Sequence, residues 1–115
     1  MLIVDDEVSQ VSALGEILSD EGITTTLASN GGDALGSIEI IRPDVAIVDL
    51  VMPRMNGTAL LAELRARLPE LPVIIATGLP MADPMVEAAL ELGNTVYVSK
   101  PIDVSQLLDM LERLK

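Results

Sequence analysis

The sequence predicts a single doubly wound α/β domain, and three observations carry that prediction. Short apolar runs recur along the chain and read as strands buried on both faces, as in a parallel sheet covered by helices. Between them lie segments whose apolar residues fall at helical spacing and which close at Gly or Pro. The connections are too short for anything except βα units with right-handed crossovers.

Each element has its own reason. Residues 1–4 form an apolar run that opens into Asp5-Asp6-Glu7. Residues 8–21 carry Val11, Leu14, Ile17 and Leu18 on one helical stripe, stopped by Gly22. Residues 23–28 hold three successive threonines, whose β-branching favours a strand, and 29–32 supply turn and N-cap chemistry. A second helix over 33–41 is weakened by Gly36 and ends before Pro43. The third strand, 45–53, is apolar except for Asp49 and closes at Pro53. Asn56 can cap a helix bearing Leu60, Leu61, Leu64 and Leu68, which Pro69 ends. Residues 73–77 are a strand led in by Pro72, followed by a loop over 78–83. Pro84 suits the first turn of a helix that runs through 85–92 and closes at Gly93. Residues 95–99 make the fifth strand. Lys100-Pro101 breaks it, and Asp103 with Gln106 reads as a capping box opening a last helix through Leu107, Leu108 and Leu111.

Composition narrows the function. At 115 residues the chain is expected to be one domain over 1–115 with no effector domain in this chain, burying roughly two thirds of its unfolded surface. No apolar run approaches the ~18 residues of a membrane span and no signal peptide is present, so a soluble, cytoplasmic protein is expected. The absence of Cys and His removes disulfides, thiolate metal sites and imidazole chemistry. A formal charge of -11 argues against direct nucleic-acid binding. With neither Phe nor Trp, and Tyr97 as the sole aromatic, the core must be aliphatic. The methionines at 52, 55, 81 and 85 read as packing and loop contacts.

Asp49 is the anomaly. A carboxylate closing a buried strand needs a compensating partner. In open α/β sheets the site lies outside the carboxyl ends of the strands, and there the sequence collects Asp5, Asp6, Asp49, Thr77 and Lys100. Two carboxylates about 4 Å apart repel by roughly 4 kcal/mol at an effective dielectric of 20, so a cation is implied. Only oxygen ligands are on offer, which selects Mg²⁺, or Mn²⁺ in its place. A metal beside a carboxylate, a lysine and a strand-end hydroxyl makes a cradle for a transferring phosphoryl group. Asp49 would be the nucleophile, forming an aspartyl phosphate.

The blocks LIVDDE, IVDLVMPRMNG, IIATG and YVSKP, in that order and spacing, resemble the receiver domain of two-component response regulators from end to end. The resemblance implies a flavodoxin-like fold of five parallel strands in the order 2-1-3-4-5 with five helices. It implies that Asp5, Asp6 and Asp49 hold Mg²⁺ with the Val51 backbone carbonyl, and that Thr77 and Lys100 bind the phosphoryl oxygens. It further implies Tyr97 as an aromatic that turns inward when Thr77 moves, altering the face of the fourth helix, fifth strand and fifth helix. The implied partners are a histidine kinase or histidine phosphotransfer protein and a downstream effector domain or protein, with no membrane and no nucleic acid. The chain would not be an enzyme acting on others, catalysing only its own phosphorylation and dephosphorylation. In the family the second residues after the acceptor and after the threonine set phosphoryl lifetime. Here they are Val51 and Leu79, neither of which orients a water, so slow self-dephosphorylation is expected. Asn94-Thr95 stands where an acidic pair often supports a dimer, and Glu87, Glu91, Asp109 and Glu112 have little basic complement. A homodimer is thus left open. Two other readings stand beside this one. One is a receiver-like interaction module independent of phosphorylation. The other is a flavodoxin-type nucleotide binder, whose phosphate loop Asp5-Asp6-Glu7 would repel.

Overall fold

Strand and helix alternate through the whole of the computed structural model, which describes residues 1–51 and 57–113. The elements are β1 (Leu2–Val4), α1 (Val8–Asp20), β2 (Thr26–Ala28), α2 (Gly31–Ile40), β3 (Ala46–Asp49), α3 (Gly57–Arg67), β4 (Val73–Thr77), α4 (Pro84–Glu91), β5 (Thr95–Ser99) and α5 (Val104–Arg113). The strands pair in parallel in the order β2-β1-β3-β4-β5, as expected. Strand order reverses at β1, which has β2 on one side and β3 on the other. The crevice at the carboxyl ends of β1 and β3 is therefore where a ligand belongs.

Register sharpens this placement. Val4 stands opposite Val48, so the residues that follow, Asp5 and Asp49, emerge level with one another. Thr77 pairs with Ser99, and the Lys100 backbone N–H donates to the Thr77 carbonyl at 2.9 Å, extending β5 to the same edge.

Alternation along the strands sends side chains into two aliphatic layers. Leu2, Val4, Val48 and Ile75 join Leu60, Leu61, Leu64, Val86 and Ala89 on one face. Ile3, Ile47, Ile74, Ala76 and Val98 join Val11, Leu18, Leu107 and Leu111 on the other. Every residue of β3 and β4 is buried, including Asp49 and Thr77. At the far end of the sheet, Arg65 ties α3 to the turns beside it. Its guanidinium donates to the carbonyls of Pro69, Leu71 and Asn94.

Several boundaries differ from the sequence reading. β2 is confined to Thr26–Ala28, because β1 offers partners only from Leu2 to Val4. Ile17 is 40 % exposed: Val11 and Leu18 carry the inward stripe of α1, and Ile17 turns toward the groove between α1 and α5. α2 begins at Gly31, with Asn30 Oδ1 accepting from the Asp33 N–H at 2.8 Å. β3 ends at Asp49, and the Asn56 cap falls outside the described residues. Asp103 does cap α5, accepting from the Gln106 N–H at 3.1 Å. Among the described residues no helix is long and apolar enough to cross a membrane.

Candidate functional site

The five residues singled out in the sequence meet at the carboxyl edge of the sheet. Asp5, Asp6 and Asp49 each bring a carboxylate oxygen to within 4.8 Å of the others. Asp5 and Asp49 are only 8 % and 6 % exposed, and Thr77 is fully buried. Lys100 reaches across from the end of β5, its Nζ 2.7 Å from Asp5 Oδ2 and 3.2 Å from Asp49 Oδ2.

Backbone donors fix the acids. Asp5 Oδ1 accepts from the Glu7 N–H at 3.0 Å, and Asp49 Oδ1 accepts from the Val51 N–H at 3.1 Å. Each carboxylate thus presents one oxygen to the loop that follows its strand and the other to Lys100. Burial pushes the Asp49 carboxyl above the ordinary aspartate range; the Val51 N–H and the Lys100 charge pull it back in part, and Asp5 adds to the rise. For Lys100 burial alone would lower the ammonium, but its bonds to Asp5 and Asp49 and their charges outweigh it and hold the group above the ordinary lysine value.

Among the described residues, three carboxylates around one point with a single ammonium beside them leave negative charge in excess. The donor set is all oxygen and clustered closely enough to share one hard divalent ion, which is the environment such ions select. A recess of about 470 Å³ opens beside it, lined by Asp6, Glu7, Asp49, Val51, Thr77, Gly78, Leu79 and Lys100. Val51 and Leu79 both border this space, and Val51 is 54 % exposed. Tyr97 lies farther back: its hydroxyl donates to the Leu79 carbonyl at 2.6 Å.

Two contributors were not legible as such. Gly57 donates its N–H to the Leu50 carbonyl at 3.1 Å, and a Cβ there would lie 2.4 Å from Leu50 Cα and 2.5 Å from the Asp49 carbonyl oxygen. The start of α3 is thus pressed against the backbone at the end of β3, an approach open only to glycine. In sequence, Asn56-Gly57 signals merely a turn. Ala76 is the other: beneath the acids, Ile3, Ile47 and Ala76 floor a second recess of about 530 Å³ between α1 and α5, and the small alanine leaves it open. An alanine inside an apolar strand gives no such warning.

A profile of the response regulator receiver domain matches residues 1–112. The DNA-binding transcriptional regulator NtrC of Salmonella typhimurium is 37% identical over 111 residues, covering 96% of this chain and 24% of that protein. The Regulator of RpoS of Escherichia coli is 40% identical over 113 residues, covering 96% of this chain and 33% of its own length. The chain thus spans a quarter to a third of these curated relatives. Among solved structures, the receiver domain of NtrX from Brucella abortus superposes with a TM-score of 0.88 at 33% identity, covering 98% of this chain and 95% of that one. A CheY-like response regulator receiver domain protein from Methanospirillum hungatei gives 0.91 at 31% identity, covering 98% and 90%.

Proposed function

The chain belongs to the response regulator receiver domain family, and from that premise we propose that it accepts a phosphoryl group on Asp49 from the phosphohistidine of a histidine kinase or phosphotransfer protein. The observation that carries the reading is the convergence of a buried, strand-ending Asp49 with Asp5, Asp6 and Lys100 in one recess. A carboxylate oxygen of Asp49 attacks phosphorus, an O–P bond forms, and the N–P bond breaks with its electron pair left on the imidazole. Desolvation raises the basicity of that carboxylate relative to an exposed one.

Asp5, Asp6 and Asp49, with the Val51 carbonyl, would hold Mg²⁺. When bound, the ion would neutralise charge developing on the phosphoryl oxygens. Lys100 supplies a fixed positive charge to the same oxygens, and the Thr77 hydroxyl donates to another. The result is a change in the face formed by α4, β5 and α5, passed on through Thr77 and Tyr97 to a downstream effector domain or protein. The exchange takes place in the cytoplasm. Because neither Val51 nor Leu79 can orient a hydrolytic water, the acyl phosphate is lost slowly; a half-life of seconds at neutral pH would contradict this.

Incubating the protein and an Asp49→Asn variant with Mg²⁺ and a small phosphodonor, then reading intact mass, tests the proposal. The parent gains one phosphoryl group and the variant none. A parent that gains nothing would hand the case to the phosphorylation-independent binding module.

A further inference from the structure

The recess between α1 and α5 follows from composition. The chain has no Phe or Trp, and Tyr97, its sole aromatic, packs with the aliphatic layer on the other face of the sheet. Only aliphatic side chains therefore reach the layer of Ile3 and Ile47, and with Ala76 beside them they leave about 530 Å³ unfilled. Ile17, 40 % exposed, borders this space from α1, and Ile102 and Val104 line it toward α5. An apolar cavity of about 150 Å³ already suffices for benzene, so the recess has room for a ring and a short chain.

Its rim is charged. Among the described residues that line it, the carboxylates of Asp5, Glu7 and Asp49 stand against the single ammonium of Lys100, leaving two negative charges in excess. A carboxylate offers about four lone-pair sites. Asp5 accepts from the Glu7 N–H and Lys100, and Asp49 from the Val51 N–H and Lys100, so each keeps capacity for a further donor. Glu7 stands at the N-cap of α1 without a side-chain capping bond. An anion would be repelled here and a neutral ligand would leave the excess uncompensated, whereas a cationic head group answers it.

We propose that this recess is a binding site for an amphiphilic amine, with an apolar body over Ile3, Ile47 and Ala76 and an ammonium at Asp5 and Glu7. The assignment stands independently of phosphoryl transfer, although the two recesses share a wall, since Asp49 and Lys100 line both. A bound amine sets a second positive charge beside the carboxylates proposed for Mg²⁺, and each cation lowers the affinity for the other.

Phenethylamine, phenethyl alcohol and phenylpropionate share a ring and a two-carbon chain and differ in the head group. Titrating each into ¹⁵N-labelled protein in metal-free buffer, and following the amide shifts, gives position and affinity together. The site predicts shifts centred on Val11, Ile17 and Val104, with the amine binding about tenfold tighter than the alcohol, as a hydrogen bond to a charged group allows, and the carboxylate not measurably. Ala76→Val keeps every charge and closes the floor; it and Ile17→Gln, at a half-exposed position, should each weaken the amine severalfold. Equal binding of amine and alcohol overturns the site, and so does the absence of shifts at those amides with millimolar amine. Affinity retained in both variants marks general attraction of a cation to an acidic protein and overturns it as well.

Discussion

Replacing Lys100 by Met removes the ammonium and keeps most of the apolar stem. In the native chain Nζ lies 2.7 Å from Asp5 and 3.2 Å from Asp49. At an effective dielectric of about 20, a single pair at the longer distance is worth about 5 kcal/mol of attraction. Part of this is offset by desolvation of the ammonium, and the 20 % exposure of its side chain screens some of the rest. A net loss of about 3 kcal/mol follows, the low end for breaking a buried ion pair. For a domain of this size that lowers Tm by about 12 °C. Divalent-ion affinity moves the other way, because the three carboxylates lose their competing cation, so saturating Mg²⁺ should recover most of the stability.

The pH dependence has a definite sign. Lys100 is held above its ordinary value of 10.5. Its stabilisation is therefore fully present below that value and is lost as pH rises through the raised one. The gap between parent and variant should stay open across neutral pH and close only in strong alkali, or in acid where the carboxylates protonate. Melting curves across pH, with and without Mg²⁺, check all three statements. An unchanged Tm at neutral pH, or a variant that binds Mg²⁺ more weakly, would refute the reasoning.

Further expectations concern β3 and the floor beneath Asp49. Asp49→Asn should raise stability at neutral pH in the absence of metal. The Asp49 pKa is raised above 3.8, so the parent loses stability as pH climbs from there through the raised value; equal melting temperatures at neutral pH would contradict this. Gly57→Ala forces a methyl against the Asp49–Leu50 backbone and should cost about 1–3 kcal/mol in urea denaturation, with weaker Mg²⁺ binding; a silent substitution would show that α3 does not press on β3. Ala76→Val adds about 1 kcal/mol by filling the recess between α1 and α5, seen as a higher Tm, whereas a fall would mean the recess has no room.

The alternation of strands and helices was legible because each apolar run and each helical stripe is a local pattern with a local stop. Asp5, Asp49 and Lys100 were legible for a related reason: charged groups at the ends of buried strands are conspicuous against what surrounds them. Contacts made only by tertiary approach were not. Gly57 reads as a turn until α3 is laid against Leu50, and Ile17 reads as core until Val11 and Leu18 are seen to carry the α1 stripe. Leu79 carried a hint about hydrolysis, yet its peptide bonds to Thr77 and Tyr97 depend on where β5 lies relative to the β4–α4 loop. No spacing in the sequence encodes that.

If Asp49 itself takes the phosphoryl group, the modified residue can be located chemically. After reaction with a small phosphodonor and Mg²⁺, borohydride reduces an aspartyl phosphate to homoserine, and peptide mass spectrometry identifies the position. Conversion at residue 49 alone is the predicted result. Conversion at Asp5 or Asp6 in its place, or at no residue while the protein remains folded, would contradict the account.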